Sequence, residues 1–416
     1  MSMIASLARS YFVEGALVLR LPDGENICLG GVGPTDAPVI FHILDWRAAG
    51  AIARNPHVAL GEAYMDGRLV MERGSIYDLL EIAVRNFRHH HRRTLRGAVN
   101  GAIAQLVHFN RRHAARRNVA HHYDLSYELY RRFLDADMQY SCAYFPHDGA
   151  TLEEAQEAKK RLIAAKLLLS PDARVLDIGS GWGGMGLTLA SEYGARVTGV
   201  TLSQEQLTIA RARAAERGLE IDFRLQDYRD VEGPFDRIVS VGMLEHVGRG
   251  NYQEYFDTVA RLLDKDGVAL IHTIGKTDGP AIGGGWTAKY IFPGGYIPAL
   301  SQLAPAIERA GLFIADVEVW RLHYALTLRA WRTRFMSRID EIKGLYDERF
   351  CRMWEFYLAA SEASFRIGPH VVFQFQLSKK IDAVPVRRDY LLGGASTALA
   401  HASDQFNRMR PASSEG

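Results

Sequence analysis

An apolar run that ends in glycines, Val175-Leu176-Asp177-Ile178-Gly179-Ser180-Gly181-Trp182-Gly183-Gly184, is the strongest chemical signal in the chain. Glycines let a backbone approach a ligand where a Cβ would clash. In an open parallel sheet, ligands bind just beyond the carboxyl ends of the strands. Asp177 sits just before the first glycines, inside the end of the predicted strand. A buried carboxylate needs a partner, and a cationic ligand supplies one better than a pyrophosphate does. A nicotinamide dinucleotide site also expects an acid at the end of the second strand. The chain there reads Gly199-Val200-Thr201-Leu202-Ser203, with no acid. The sulfonium of S-adenosylmethionine (SAM) suits both features. A dinucleotide and a tight turn without ligand are the alternatives. No residues show metal-ligand spacing: His89, His90 and His91 are consecutive and do not converge on one helix face.

The elements that must hold this turn alternate. ARVLDIGSG, ARVTGVTLS, EIDFRLQD, FDRIVSVG and GVALIHTIG read as strands, and GGMGLTLASEYG, SQEQLTIARARAAERG and YQEYFDTVARLLDKDG as helices between them. Ser203 is the expected N-cap of the second helix, with Gln206 at the capping-box position and Gly218 as the stop. Such alternation predicts an α/β fold with a doubly wound, mostly parallel sheet over residues 118–390. Residues 1–84 mix short strands (Ala16–Leu21, Val39–Ile43) with helices (Trp46–Arg54, Ile76–Val84) and read as a small α/β module. Residues 391–416 read as a weakly ordered tail.

Composition bounds the rest. At 416 residues, 48% apolar and 24% charged, the chain is globular and long enough for two or three domains. Cys28, Cys142 and Cys351 form no CxxC pair and no even framework, so a reducing, cytoplasmic setting is expected. No apolar run reaches the roughly 18–20 residues of a spanning helix. The net charge of +2 hides a partition: residues 1–84 carry six Arg against ten acids, and residues 85–117 carry nine Arg and no acid. Two arginine groups in that stretch flank an apolar middle, Ala98 to Phe109. It suits an anionic membrane surface, or a linker helix that is solvated or docked between domains. Nucleic acid is disfavoured, because no binding motif accompanies it.

From His121 to about Tyr390 the chain resembles the cyclopropane-fatty-acyl-phospholipid synthase family, SAM-dependent methyltransferases related to mycolic acid cyclopropane synthases. HYDLSYELY, MQYSCAYF, VLDIGSGWGG, GVTLSQEQ, LQDYRD, FDRIVSVGMLEHVG, HTIG, KYIFPGGYIP and LHYALTLRAW carry the match in order. GEAYMDG adds a weaker likeness of the N-terminal module to that of the phospholipid branch. The resemblance implies a Rossmann-like methyltransferase sheet with helical lipid-site insertions. It implies SAM contacts from Tyr140, Ser141, Asp177, Gly179, Gly181, Gly183, Thr201, Gln206, Asp227 and Tyr228. Capping is the competing reading for Thr201 and Gln206.

The family's reaction adds a methyl group to a cis double bond, then removes a proton so that a ring closes. Such a site must align the methyl donor with the alkene at about 3–3.5 Å, exclude water, tolerate a carbocation and hold a base. The resemblance implies bicarbonate as that base, surrounded by Cys142, Glu245, His272, Ile274 and Tyr324. Cys142 and Ile274 would offer backbone amides, His272 and Tyr324 hydrogen bonds, and Glu245 an acceptor. Taken alone, Cys142 reads as a core thiol and His272 as a core histidine. Gly283–Leu300 suits a lid or ordinary core, and helices around Ala330–Phe335 and Phe350–Phe365 could wall an acyl slot. The expected partners are unsaturated phospholipid and an anionic membrane surface, with peripheral association at its inner face; the resemblance also admits a homodimer. Rival readings are a methyl-branched product, a small-molecule N-methyltransferase, and a non-catalytic lipid-binding remnant.

Overall fold

The computed structural model describes residues 3–31, 37–91, 126–280 and 285–391. The apolar middle of the arginine-rich stretch and all but the first residue of the expected tail lie outside them. A four-stranded sheet is built from β1 (Leu17–Arg20), β2 (Asn26–Leu29), β3 (Val39–Ile43) and β4 (Leu69–Arg73), in the order β2-β1-β3-β4. Helices α1 (Met3–Tyr11), α2 (Trp46–Arg54), α3 (Pro56–Met65) and α4 (Ile76–His91) accompany it. Asp45 caps α2, its carboxylate accepting from Ala48 N at 2.9 Å. Helix α4 runs seven residues past the expected end of the module at 84, so that boundary falls inside a helix.

The second sheet has seven strands: β5 (Arg174–Ile178), β6 (Arg196–Thr201), β7 (Asp222–Leu225), β8 (Phe235–Val241), β9 (Leu263–Lys276), β10 (Phe313–Trp320) and β11 (His370–Ser378). Their order is β10-β11-β9-β8-β5-β6-β7, and only β11 runs against the others. Successive side chains on a strand point to opposite faces. Val175, Val239 and Leu270 therefore enter one core, with Ile163 and Leu167 of α5 (Leu152–Leu167) and Leu189 of α6 (Gly184–Tyr193). Leu176, Ile238 and Ile271 enter the other, with Phe256 and Val259 of α8 (Tyr252–Leu262) and Leu303 of α9 (Leu300–Arg309). Both faces are covered, as a parallel sheet requires. Helix α7 (Gln204–Glu216) buries Leu207 and Ala210 against Phe223.

Two long helices, α10 (His323–Ser337) and α11 (Glu348–Arg366), stand beside the sheet, and their aromatic residues form one apolar cluster with the N-terminal module. Trp286 packs against Phe356 at 4.7 Å between ring centroids. Tyr64 Oη donates to Glu355 Oε2 at 2.6 Å, and Tyr290 Oη to Glu62 Oε1 at 2.7 Å. The segment read as a lid is thus pinned, around Trp286 and Tyr290, to α3 and α11.

Candidate functional site

The carboxyl ends of β5, β6 and β8 open into one cavity of about 160 Å³. Nine of the ten expected SAM contacts line it: Tyr140, Ser141, Asp177, Gly179, Gly181, Thr201, Gln206, Asp227 and Tyr228. Gly183 does not. It caps α6 at φ +84°, and a Cβ there would lie 2.8 Å from Phe223 Cζ, so this glycine serves helix packing. Gly184 lines the cavity instead; a Cβ on it would meet Gln139 Nε2 at 2.2 Å. The paired glycines of GWGG carried that signal.

Asp177 is buried, and its Oδ2 has no hydrogen-bond partner among the described residues. Burial pushes its carboxyl up to about 7. An orphaned acceptor in a cavity wall fits a cationic ligand such as SAM. Thr201 Oγ1 donates to Gln206 Oε1 at 2.8 Å. Ser203 caps α7 as expected, but the capping box does not close: the Gln206 side chain turns to Thr201, leaving Nε2 as its donor. Asp227 is engaged by Arg229, with Nη2 to Oδ2 at 2.7 Å and Nε to Oδ1 at 2.8 Å. It therefore faces the cavity as half of an ion pair. His246, unassigned from the sequence, also lines the cavity, and burial lowers it to about 4, so its ring is neutral.

The five residues expected around an anion come from four separate places in the fold, and three of them reach one large apolar cluster. Cys142 and Tyr324 belong to it, and Ile274 packs against it. Burial pushes the Cys142 thiol far up, which makes it a poor nucleophile. Glu245 is buried on the short helix Leu244–Val247, and burial pushes its carboxyl up to about 7. Its Oε1 accepts from Ile274 N at 2.5 Å, and Oε2 has no partner among the described residues. The Ile274 amide is thus not directed at an anion, as expected, but orients Glu245.

His272 joins through Trp320, 5.2 Å away between centroids. Its Nδ1 lies 3.1 Å from Gln374 Nε2. Gln374 Oε1 is already taken by Lys166 Nζ at 2.7 Å, and Lys166 also pairs with Glu318. Gln374 must therefore donate to Nδ1, which leaves the His272 proton on Nε2. Burial holds the ring neutral. Gln374 and Lys166 were not legible as site residues.

The wall around Tyr324 is aromatic. Tyr140 stacks on Trp331 at 5.2 Å, Tyr324 meets Trp331 edge-on at 5.9 Å, and Tyr140 Oη lies 2.9 Å from Tyr357 Oη. No group of metal-ligating side chains occurs among the described residues.

Residues 110–375 match the family model described as mycolic acid cyclopropane synthetase. The chain belongs to that family. Over 330 residues it is 42% identical to the cyclopropane-fatty-acyl-phospholipid synthase of Escherichia coli, covering 78% of this chain and 84% of that one. It is 35% identical to the tuberculostearic acid methyltransferase UfaA1 of Mycobacterium tuberculosis, covering 88% of each. The solved mycolic acid cyclopropane synthase CmaA1, complexed with SAH and CTAB, is 33% identical with a TM-score of 0.60, over 63% of this chain and 97% of that one. This cyclopropane synthase relative is accordingly a SAM-dependent methyltransferase.

Proposed function

We propose that the protein transfers the methyl group of SAM to the cis double bond of unsaturated fatty acyl chains in phospholipids, giving a cyclopropane ring. The observation that carries this reading is Glu245. It is a buried carboxylate with Oε1 held by the Ile274 amide and Oε2 without a hydrogen-bond partner among the described residues. A lipid carbocation needs a dry, apolar surround such as the aromatic cluster of Tyr140, Tyr324 and Trp331, because water reaching the cation would trap it as an alcohol. The faces of Tyr140, Tyr324 and Trp331 offer the cation π density.

Bound bicarbonate would supply the base that takes a proton from the new methyl group. The residues fit such an ion. The Cys142 amide finds no acceptor among the described residues, His272 presents Nε2–H, and Glu245 Oε2 is an open acceptor. Glu245 would hold the proton of the ion, and His272 and Tyr324 would fix its orientation.

The His272 tautomer gives a first prediction. Gln374→Glu keeps a partner for Lys166 but cannot donate to Nδ1, so the ring proton moves to that nitrogen. Loss of one Nε2–H donor, worth about 1–3 kcal/mol, should lower turnover about tenfold or more while the melting temperature holds. Nitrogen NMR of the His272 ring checks the tautomer; unchanged turnover with the inverted ring would remove His272 from the site.

The module of residues 1–84 and the arginine-rich stretch 85–117 would bring the site to an anionic bilayer, each Arg near the lipid adding about 1 kcal/mol. No helix among the described residues is long and apolar enough to cross a membrane. Vesicle sedimentation should show tighter binding to anionic than to zwitterionic vesicles, weakened by salt. Equal binding to both would discard the electrostatic contribution.

A methyl-branched acyl product is the second reading, favoured by the identity to the tuberculostearic acid methyltransferase. Incubation with methyl-labelled SAM and unsaturated phospholipid vesicles tests the substrate class. Label extracted with the acyl chains is the expected result; label found only on added amines would overturn the lipid assignment.

A further inference from the structure

Glu318 lies on β10, the edge strand of the large sheet, and lines an open groove together with Trp320, Arg321 and His323. No step of the chemistry above uses it. Its carboxylate nevertheless begins a chain of hydrogen bonds that ends on the ring of His272. Glu318 Oε2 accepts from Lys166 Nζ, Lys166 Nζ also donates to Gln374 Oε1 at 2.7 Å, and Gln374 Nε2 lies 3.1 Å from His272 Nδ1. Solvent reaches 29% of the Glu318 side chain but only 1% of Lys166, and Gln374 and His272 are buried. Gln376 fixes the backbone of the lysine, its Nε2 donating to the Lys166 carbonyl at 2.6 Å.

Every link has a direction. An ammonium only donates, so it turns the amide oxygen of Gln374 towards itself and the amide N–H towards the imidazole. The reverse orientation would set Nε2 against an N–H donor. A neutral amine removes that bar. Its lone pair accepts from Nε2, Oε1 then accepts from Nδ1–H, and the imidazole proton leaves Nε2. The Gln374 amide thus has two positions, and the charge on Lys166 selects between them. Burial favours loss of that charge. Glu318, the acid bonded to Lys166, holds it in place. Asp316 also acts on Lys166 but is paired with Arg388 at 2.8 Å, and Arg388 opposes the charge. On the inner side His272 is neutral, and Lys159 and Lys166 both disfavour its protonation.

We propose that Glu318 is a positioning residue for His272: from the groove, through Lys166 and the Gln374 amide, it keeps the imidazole proton on Nε2, the nitrogen that would face bound bicarbonate. Glu318 touches neither substrate nor ion. The use made of Nε2–H rests on the proposed cyclopropanation; control of the tautomer does not.

The test is nitrogen NMR of the His272 ring in the ligand-free full chain between about pH 6 and 8.5, with turnover measured alongside. The unaltered protein should keep the proton on Nε2 throughout. Glu318→Gln leaves the lysine among neutral acceptors. It should move the proton to Nδ1, more completely as pH rises, and lower turnover about tenfold where the ring is inverted. Lys166→Met removes the donor to Gln374 and frees the amide to turn, so both ring forms should appear at every pH, without that slope. A proton retained on Nε2 across the range in either variant would overturn the proposal. A ring that inverts with turnover unchanged would uphold the chain from Glu318 and remove His272 from the proposed reaction instead.

Discussion

Glu245→Gln should lower turnover by about 10²–10⁴, the range for losing a positioned proton acceptor, while SAM affinity stays within about twofold. The amide keeps the shape of the side chain and can still accept from Ile274 N, as Glu245 Oε1 does at 2.5 Å. What changes is the second position: a donor replaces Oε2, the oxygen without a partner among the described residues. Because burial holds this carboxyl up at about 7, its acceptor form appears only as pH rises through that value. Turnover at fixed bicarbonate should therefore climb between about pH 6 and 8, and the climb should vanish in Glu245→Gln. Tyr324→Phe should share the pattern of lost turnover with retained SAM binding. Parallel losses of turnover and SAM affinity in both variants would contradict the assigned roles.

Asp177→Asn should behave in the opposite way. SAM affinity falls, since removing one member of a buried, desolvated charge contact costs about 2–5 kcal/mol. The ligand-free protein, however, becomes more stable at alkaline pH. The folded-state carboxyl is raised to about 7 by burial, above its unfolded value near 3.9. Between those two values the folded chain holds a proton that the unfolded chain has released, so stability falls as pH rises through the window. The full penalty, about 4 kcal/mol from that displacement, is reached above pH 7. The asparagine variant escapes it. Denaturant melts of the ligand-free proteins at pH 5 and pH 8.5 should favour Asp177→Asn at both, by roughly a third of the full penalty at the lower pH and by all of it at the higher one. A variant that is less stable at both would show that Asp177 is satisfied without ligand.

The two predictions rest on parts of the site that differ in how openly the sequence displays them. Asp177 and the glycines were legible because an apolar strand running into glycines has few other uses, and the neighbouring Thr201 and Gln206 lie one helix away in sequence. The geometry around Glu245 and His272 was legible only through family resemblance, since their partners come from distant elements. Strands β10 and β11 escaped notice for a related reason. HVVFQFQLS reads as a half-exposed alternation, yet Gln374 and Gln376 are buried, one bonded to Lys166 and His272, the other to Tyr390 Oη at 2.9 Å. Lys159 and Lys166 resemble the solvated face of an ordinary helix. Their burial depends on Ser141, Gln139, Glu318 and Gln374, which the chain brings from far away.

The most direct measurement is proton NMR of the acyl chains recovered after the purified protein has acted on unsaturated phospholipid vesicles with SAM and bicarbonate. A closed ring gives far-upfield methylene signals and consumes the olefinic ones, which is the expected spectrum. Surviving or displaced olefinic protons beside a new methyl branch would contradict ring closure, and with it the role given to Glu245 and its neighbours.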